Sequence, residues 1–139
     1  MIRIEINRNV DAVWPTLLPS ITEACEACGN EMAPGQINQE IRSGHWAMLV
    51  ALDDDDRPWG CAVFKFEAWP SGLKLRTLLM AGENLALWFD EMYDAIAECG
   101  RLGGANGLVT QSRKGWHSDK ILGKKPGFKV LGYIAEVPI

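Results

Sequence analysis

Between Leu73 and Cys99 the spacing of apolar residues changes from two to 3.6, which restricts the chain to folds in which a sheet hands over directly to an amphipathic helix. Leu73, Leu75, Thr77 and Leu79 alternate with Lys74, Arg76, Leu78 and Met80, the pattern of a strand with two different faces. After Ala81-Gly82-Glu83-Asn84, residues Leu85, Trp88, Met92, Ala95, Ile96 and Cys99 fall on one helical stripe, with Asp90, Glu91, Asp94 and Glu98 opposite. Upstream, the apolar run from Trp46 to Leu52 and the β-branched and aromatic run from Trp59 to Trp69 flank Asp53-Asp54-Asp55-Asp56-Arg57-Pro58, a hairpin pattern. Pro70-Ser71-Gly72 makes the next turn, so three consecutive strands form an antiparallel meander that feeds the helix.

The flanking segments complete the pattern. Ile2, Ile4 and Ile6 alternate with Arg3, Glu5 and Asn7 as a first strand. Asp11 is placed to cap a helix carrying Val13, Leu17, Ile21, Ala24 and Cys28, with Pro15 near its first turn and Pro19 expected to kink or split it. Pro34 opens a second short helix that closes around Ser43 and Gly44. Glycines 100, 103, 104 and 107 end the long helix; Leu108 to Gln111 read as a fifth strand, Trp116 to Leu122 as a short helix and Val130 to Val137 as extended chain. The expectation is one α/β (α+β) domain over residues 1–139, a mixed, mostly antiparallel sheet of six to seven strands flanked by about four helices.

With 139 residues, 47% hydrophobic and 23% charged, the chain has the composition of a globular domain able to bury such a sheet. A net charge of −4 gives no long-range attraction for a polyanion, so nucleic-acid binding would need a local basic patch. No window approaches the roughly 20 apolar residues of a membrane span, and Met1 to Asn9 alternate charge with isoleucine, unlike a signal peptide. A cytoplasmic setting is expected, with Cys25, Cys28, Cys61 and Cys99 reduced.

The element order, with a long helix directly after the fourth strand, resembles the GNAT N-acetyltransferase fold over nearly the whole chain. The tail Ile121-Leu122-Gly123-Lys124-Lys125-Pro126-Gly127-Phe128-Lys129 is similar to the family's helix-to-strand segment ending in Lys-x-Gly-Phe. The resemblance implies that coenzyme A pyrophosphate binds at the junction between strand four and the helix, where the family carries Arg/Gln-x-x-Gly-x-Gly/Ala. A helix start offers unpaired N–H groups and positive dipole potential there. The corresponding residues are Leu79-Met80-Ala81-Gly82-Glu83-Asn84, with one glycine and an acidic side chain that would repel a phosphate. Glu83 instead complements the helix dipole, and Asn84 is expected to cap the helix. The family's tyrosine general acid falls on Gly123. The size, the compact helices and the Gly-Phe strand also resemble small tailed-phage GNAT-like proteins that depart from the coenzyme A loop, which implies a structural or interaction role.

Several residues invite chemistry. Glu67, near the end of strand three, is a candidate general base if it faces a cleft and an ordinary strand carboxylate if it does not. Met80, Ala81, Gly82 and Asn84 are the candidate cofactor-binding residues. Cys25-Glu26-Ala27-Cys28 is half of a zinc site without its other half, and Asp53 to Asp56 lack the spaced ligands of a calcium loop, so no metal is expected. Arg113, Lys114, Trp116, His117, Lys120, Lys124 and Lys125 form a locally basic surface. It suits a nucleotide phosphate, a nucleic acid or an acidic protein, and equally a solvated face that balances the acidic helix. Six tryptophans add weight to protein contacts.

The leading expectation is therefore a GNAT-like protein with weak or absent transferase activity, of phage-type structural or accessory role, binding a protein partner or its own copies and needing no cofactor. One alternative is a divergent acetyl-CoA-dependent N-acetyltransferase, the other a nucleic-acid-associated accessory protein. A splay between strands four and five, wide enough for a pantetheine arm, would favour the enzyme.

Overall fold

The computed structural model describes residues 1–111, 122–132 and 135–139. Five strands form one sheet in the order β1 (Arg3–Ile6), β2 (Ala47–Leu52), β3 (Pro58–Trp69), β4 (Gly72–Gly82) and β5 (Gly107–Thr110). The first four pair antiparallel, and β5 lies parallel to β4 after a crossover through a helix, as a parallel pair requires.

Helices cover both faces of the sheet. α1 (Val10–Ala27) and α2 (Pro34–Arg42) bring Leu17, Ile21, Cys25 and Ile37 against Val50, Cys61, Val63, Leu79 and Ala81. α3 (Phe89–Leu102) brings Met92 and Ile96 against Leu49, Ala51, Ala62, Phe64 and Leu75. β2 is apolar on both faces because both are covered, which explains its unbroken Met48–Leu52 run.

Four expectations need correction. Among the described residues there are five strands rather than six or seven. There are also three α-helices, with short 3-10 turns at Leu85–Leu87 and Leu122–Lys124, rather than about four helices. Val130, Leu131 and Val137 are exposed and form no strand, because the apolar side chains that suggested one are not buried against the sheet. The Trp116 to Leu122 helix lies outside the described residues except at Leu122, which begins a 3-10 turn. Pro19 does not divide α1: both Pro15 and Pro19 lie on the exposed side, where water can satisfy the carbonyls they leave unpaired, while the buried stripe holds the helix together.

Capping also differs from expectation. Asn9 precedes α1 without a side-chain cap, and the Asp11 carboxylate instead pairs with Arg42 of α2. The Asp53–Asp56 run is a turn organised by one of its members. Asp53 Oδ1 accepts from the N–H groups of Asp55 and Arg57, both at 2.9 Å, and Oδ2 from Trp59 Nε1 at 3.0 Å. The Trp59 bond foremost, with the backbone donors, holds the Asp53 carboxyl below its usual range.

Candidate active-site groove

The most informative feature is where β4 and β5 stop pairing. The parallel ladder runs from Lys74↔Gly107 to Thr77↔Thr110 and ends there, although β4 continues to Gly82. The adjoining residue, Leu78, is an extra residue in β4: Val63 pairs with Leu79 while Phe64 pairs with Thr77. A bulge bends its strand and breaks the regular edge. Beyond it, β4 has no partner on its β5 side among the described residues, which is the splay that would admit an extended ligand.

On the sheet face shared with α1 and α2, an open groove of about 280 Å³ begins at this bulge. Thr77 and Leu78 of β4, Gln111 after β5, and Glu31 and Met32 between α1 and α2 border it. Lys65, Glu67 and Arg76 complete the lining from β3 and β4.

Glu67 therefore faces a cleft, the condition on which its candidacy rested. Its carboxylate is already engaged, however. Arg76 donates from Nε to Oε2 at 3.0 Å and from Nη2 to Oε1 at 2.8 Å, and Trp69 Nε1 donates to Oε1 at 2.7 Å. Arg76 first, then Trp69, holds the Glu67 pKa down at about 2. A forked guanidinium on a carboxylate is a strong, directional pair. It gives Glu67 the chemistry of an anchor for Arg76, since a group ionised down to about pH 2 is a feeble proton acceptor.

The loop from β4 into α3 is internally committed. Gly82 (φ +149°) lies so close to β3 that a Cβ there would sit 2.4 Å from Trp59 O and from Gly60 Cα. The Glu83 N–H donates to Trp59 O at 3.0 Å, and the Glu83 carbonyl accepts the Trp88 indole N–H at 2.7 Å. Trp88 is fully buried, with its ring against Gly60. Asn84 takes a left-handed conformation (φ +53°) without a side-chain cap, contrary to the expected role; its carbonyl accepts from the Leu87 N–H. Met80 and Ala81 pair with Ala62 and Cys61 of β3. Among the described residues the β5-side edge of β4 is thus unpaired beyond Thr77, whereas the Glu83 amide of the loop is already bonded.

The candidate contact surface divides. Arg113, Lys114, Trp116, His117 and Lys120 lie outside the described residues. Lys124 Nζ is 2.9 Å and Lys125 Nζ 3.3 Å from Asp90 Oδ1 at the start of α3, and Lys125 lies 4.2 Å from the Tyr93 ring centroid. Those two cations fasten the tail to α3. Among the described residues no group of three or more His, Cys, Asp or Glu converges, and no helix is long and apolar enough to cross a membrane. Burial raises the Cys25 thiol pKa and lifts that of Cys61 to about 12.

Solved structures match the chain end to end. A ribosomal-protein-alanine N-acetyltransferase from Brucella melitensis biovar Abortus 2308 superposes with a TM-score of 0.73 at 12% identity, covering 100% of this chain and 99% of that one. The fold is GNAT-like. A glucosamine-6-phosphate N-acetyltransferase from Arabidopsis thaliana gives 0.65 at 12% identity, covering 99% and 98% of the two chains. A transcriptional regulator from Bacillus halodurans C-125 gives 0.72 at 11% identity over 100% of both. No protein-family model matches the sequence, and no curated protein is similar to it in sequence. At such identities the likeness establishes the GNAT-like architecture alone, because one fold can carry different functions.

Reading the sequence missed Glu31, Lys65, Arg76 and Gln111, which line the groove with Glu67. A signal for two of them was present. Counting outward from the Pro70-Ser71 turn places Lys65 opposite Arg76 and Glu67 opposite Lys74, which puts all four on one face and makes Glu67 and Arg76 diagonal neighbours.

Proposed function

We propose that this chain is a divergent acyl-CoA-dependent N-acyltransferase. The observation that carries the reading is the end of β4–β5 pairing at Thr77 and Thr110, beside the Leu78 bulge and above a polar groove. An exposed strand edge can accept an extended, amide-bearing arm through main-chain hydrogen bonds, and residues 78–82 would hold the pantetheine in this way. Acyl-CoA supplies a thioester: the amine nitrogen gains the acyl carbon as the C–S bond breaks, the thiol carries off one ammonium proton and solvent takes the other.

The chain's own contribution is orientation and charge. The Glu67–Arg76 pair fixes a guanidinium at the groove floor, and Lys65 adds a second cation, 3.6 Å from Glu67 Oε2. The acceptor ammonium gives its first proton to solvent before attack, since Glu67, held down at about 2, is a feeble base for it. Activity is accordingly expected to rise with pH towards the acceptor's own pKa.

A second reading, a non-catalytic GNAT-like protein of tailed-phage structural or accessory type, is supported by the β4–α3 loop. There Glu83 brings a carboxylate to the place of a phosphate and its N–H is spent on Trp59. Release of free thiol from acetyl-CoA in the presence of a panel of amines separates the two. Turnover that climbs with pH and a raised melting temperature with acetyl-CoA are expected; an unchanged melting temperature at millimolar coenzyme and no thiol release would leave the second reading.

A further inference from the structure

The groove beneath the splay has a charge layout that specifies its acceptor, and this inference rests on the acyltransferase reading. Lys65 and Arg76 share one carboxylate, Glu67, so the three of them give the groove floor one surplus positive charge. Across from it, the connection between α1 and α2 contributes Glu31, an exposed carboxylate close enough to influence Arg76. Half-buried Met32 and Leu78 supply apolar surface between these charged groups. A groove with a cationic floor, an anionic wall and an apolar strip is complementary to a small molecule with all three features.

We propose that the acceptor is a free α-amino acid with an apolar side chain. Its carboxylate is held by Lys65 and the guanidinium of Arg76, its amino group is drawn towards Glu31, and its side chain lies against Met32 and Leu78. Arg76 suits the carboxylate because Glu67 and the Trp69 ring, 6.0 Å from the guanidinium carbon, preorganise it. A peptide N-terminus would present the amine without the carboxylate, leaving the surplus charge unmatched.

Four matched probes test this on the intact chain: L-leucine, L-leucinamide, 3-methylbutylamine and 4-methylpentanoate, each titrated by calorimetry or NMR, with acetyl-CoA titrated separately. Leucine is expected to bind about tenfold or more tightly than each of the others, in line with charge-assisted hydrogen bonds. Lys65→Met should remove most of the advantage of leucine over leucinamide and leave leucinamide unchanged. Glu31→Gln should weaken leucine and leucinamide by the same factor and spare 4-methylpentanoate, with melting curves confirming that both variants fold. Equal affinity for leucine and leucinamide would overturn the proposal in favour of a peptide amine; equal affinity for 3-methylbutylamine, or no binding of any probe, would overturn it outright. Coenzyme binding without leucine binding would sink the acceptor assignment alone, and leucine binding without coenzyme binding would sink the acyltransferase reading while leaving the amino-acid groove.

Discussion

Arg76 decides what Glu67 can do. By lowering the carboxyl pKa to about 2, it turns the one acidic candidate from strand three into a structural anion. The folded-state pKa lies below the ordinary 4.5, so the pair contributes its full stability above about pH 4.5 and loses it as pH falls towards 2. Glu67→Gln is expected to destabilise the protein by about 1–3 kcal/mol at pH 7, a difference that shrinks in urea melts as the pH approaches 2. The variant should keep the rising pH–rate profile; a loss of about a hundredfold or more in kcat, with the pH dependence flattened, would make Glu67 a base after all. Gly60 is as constrained in a different way. A Cβ there would sit 2.3 Å from Trp88 Cζ2 and 2.8 Å from Ala81 O, so Gly60→Ala should cost about 1–3 kcal/mol in chemical denaturation.

The elements were unevenly legible. β3, β4 and the amphipathic part of α3 could be read from periodicity because each buries one regular face, and the Pro70-Ser71 turn even encoded the register that joins Glu67 to Arg76. The bulge at Leu78 had no such signal: an extra residue in an apolar strand leaves the composition unchanged and shows only in pairing with a distant partner. The helix start was misread for a similar reason. Trp88 belongs to the apolar stripe, yet its indole N–H bonds the Glu83 carbonyl, and a 3-10 turn precedes α3 where one continuous helix was expected. At the tail, Asp90 holds Lys124 and Lys125. The Asp90 carboxylate they share is solvent-exposed, so Asp90→Ala should change global stability by less than about 1 kcal/mol while making the segment after Leu122 more sensitive to limited proteolysis. Unchanged proteolysis would remove the latch.

For the whole molecule, the sheet architecture and the switch from meander to helix carry the GNAT-like likeness, while the groove and the splay carry the proposed function. The two differ in how sequence encodes them. Layers follow from periodic burial, but the splay depends on where two strands distant in sequence part company, after Thr77 and Thr110. Acetyl-CoA titrated into isotopically labelled protein, followed through its backbone amides, tests this most directly. The account predicts saturable shifts concentrated at Leu78 to Gly82 and at Thr110 and Gln111. Saturation without shifts on that edge of β4, or no response at millimolar coenzyme, would contradict it.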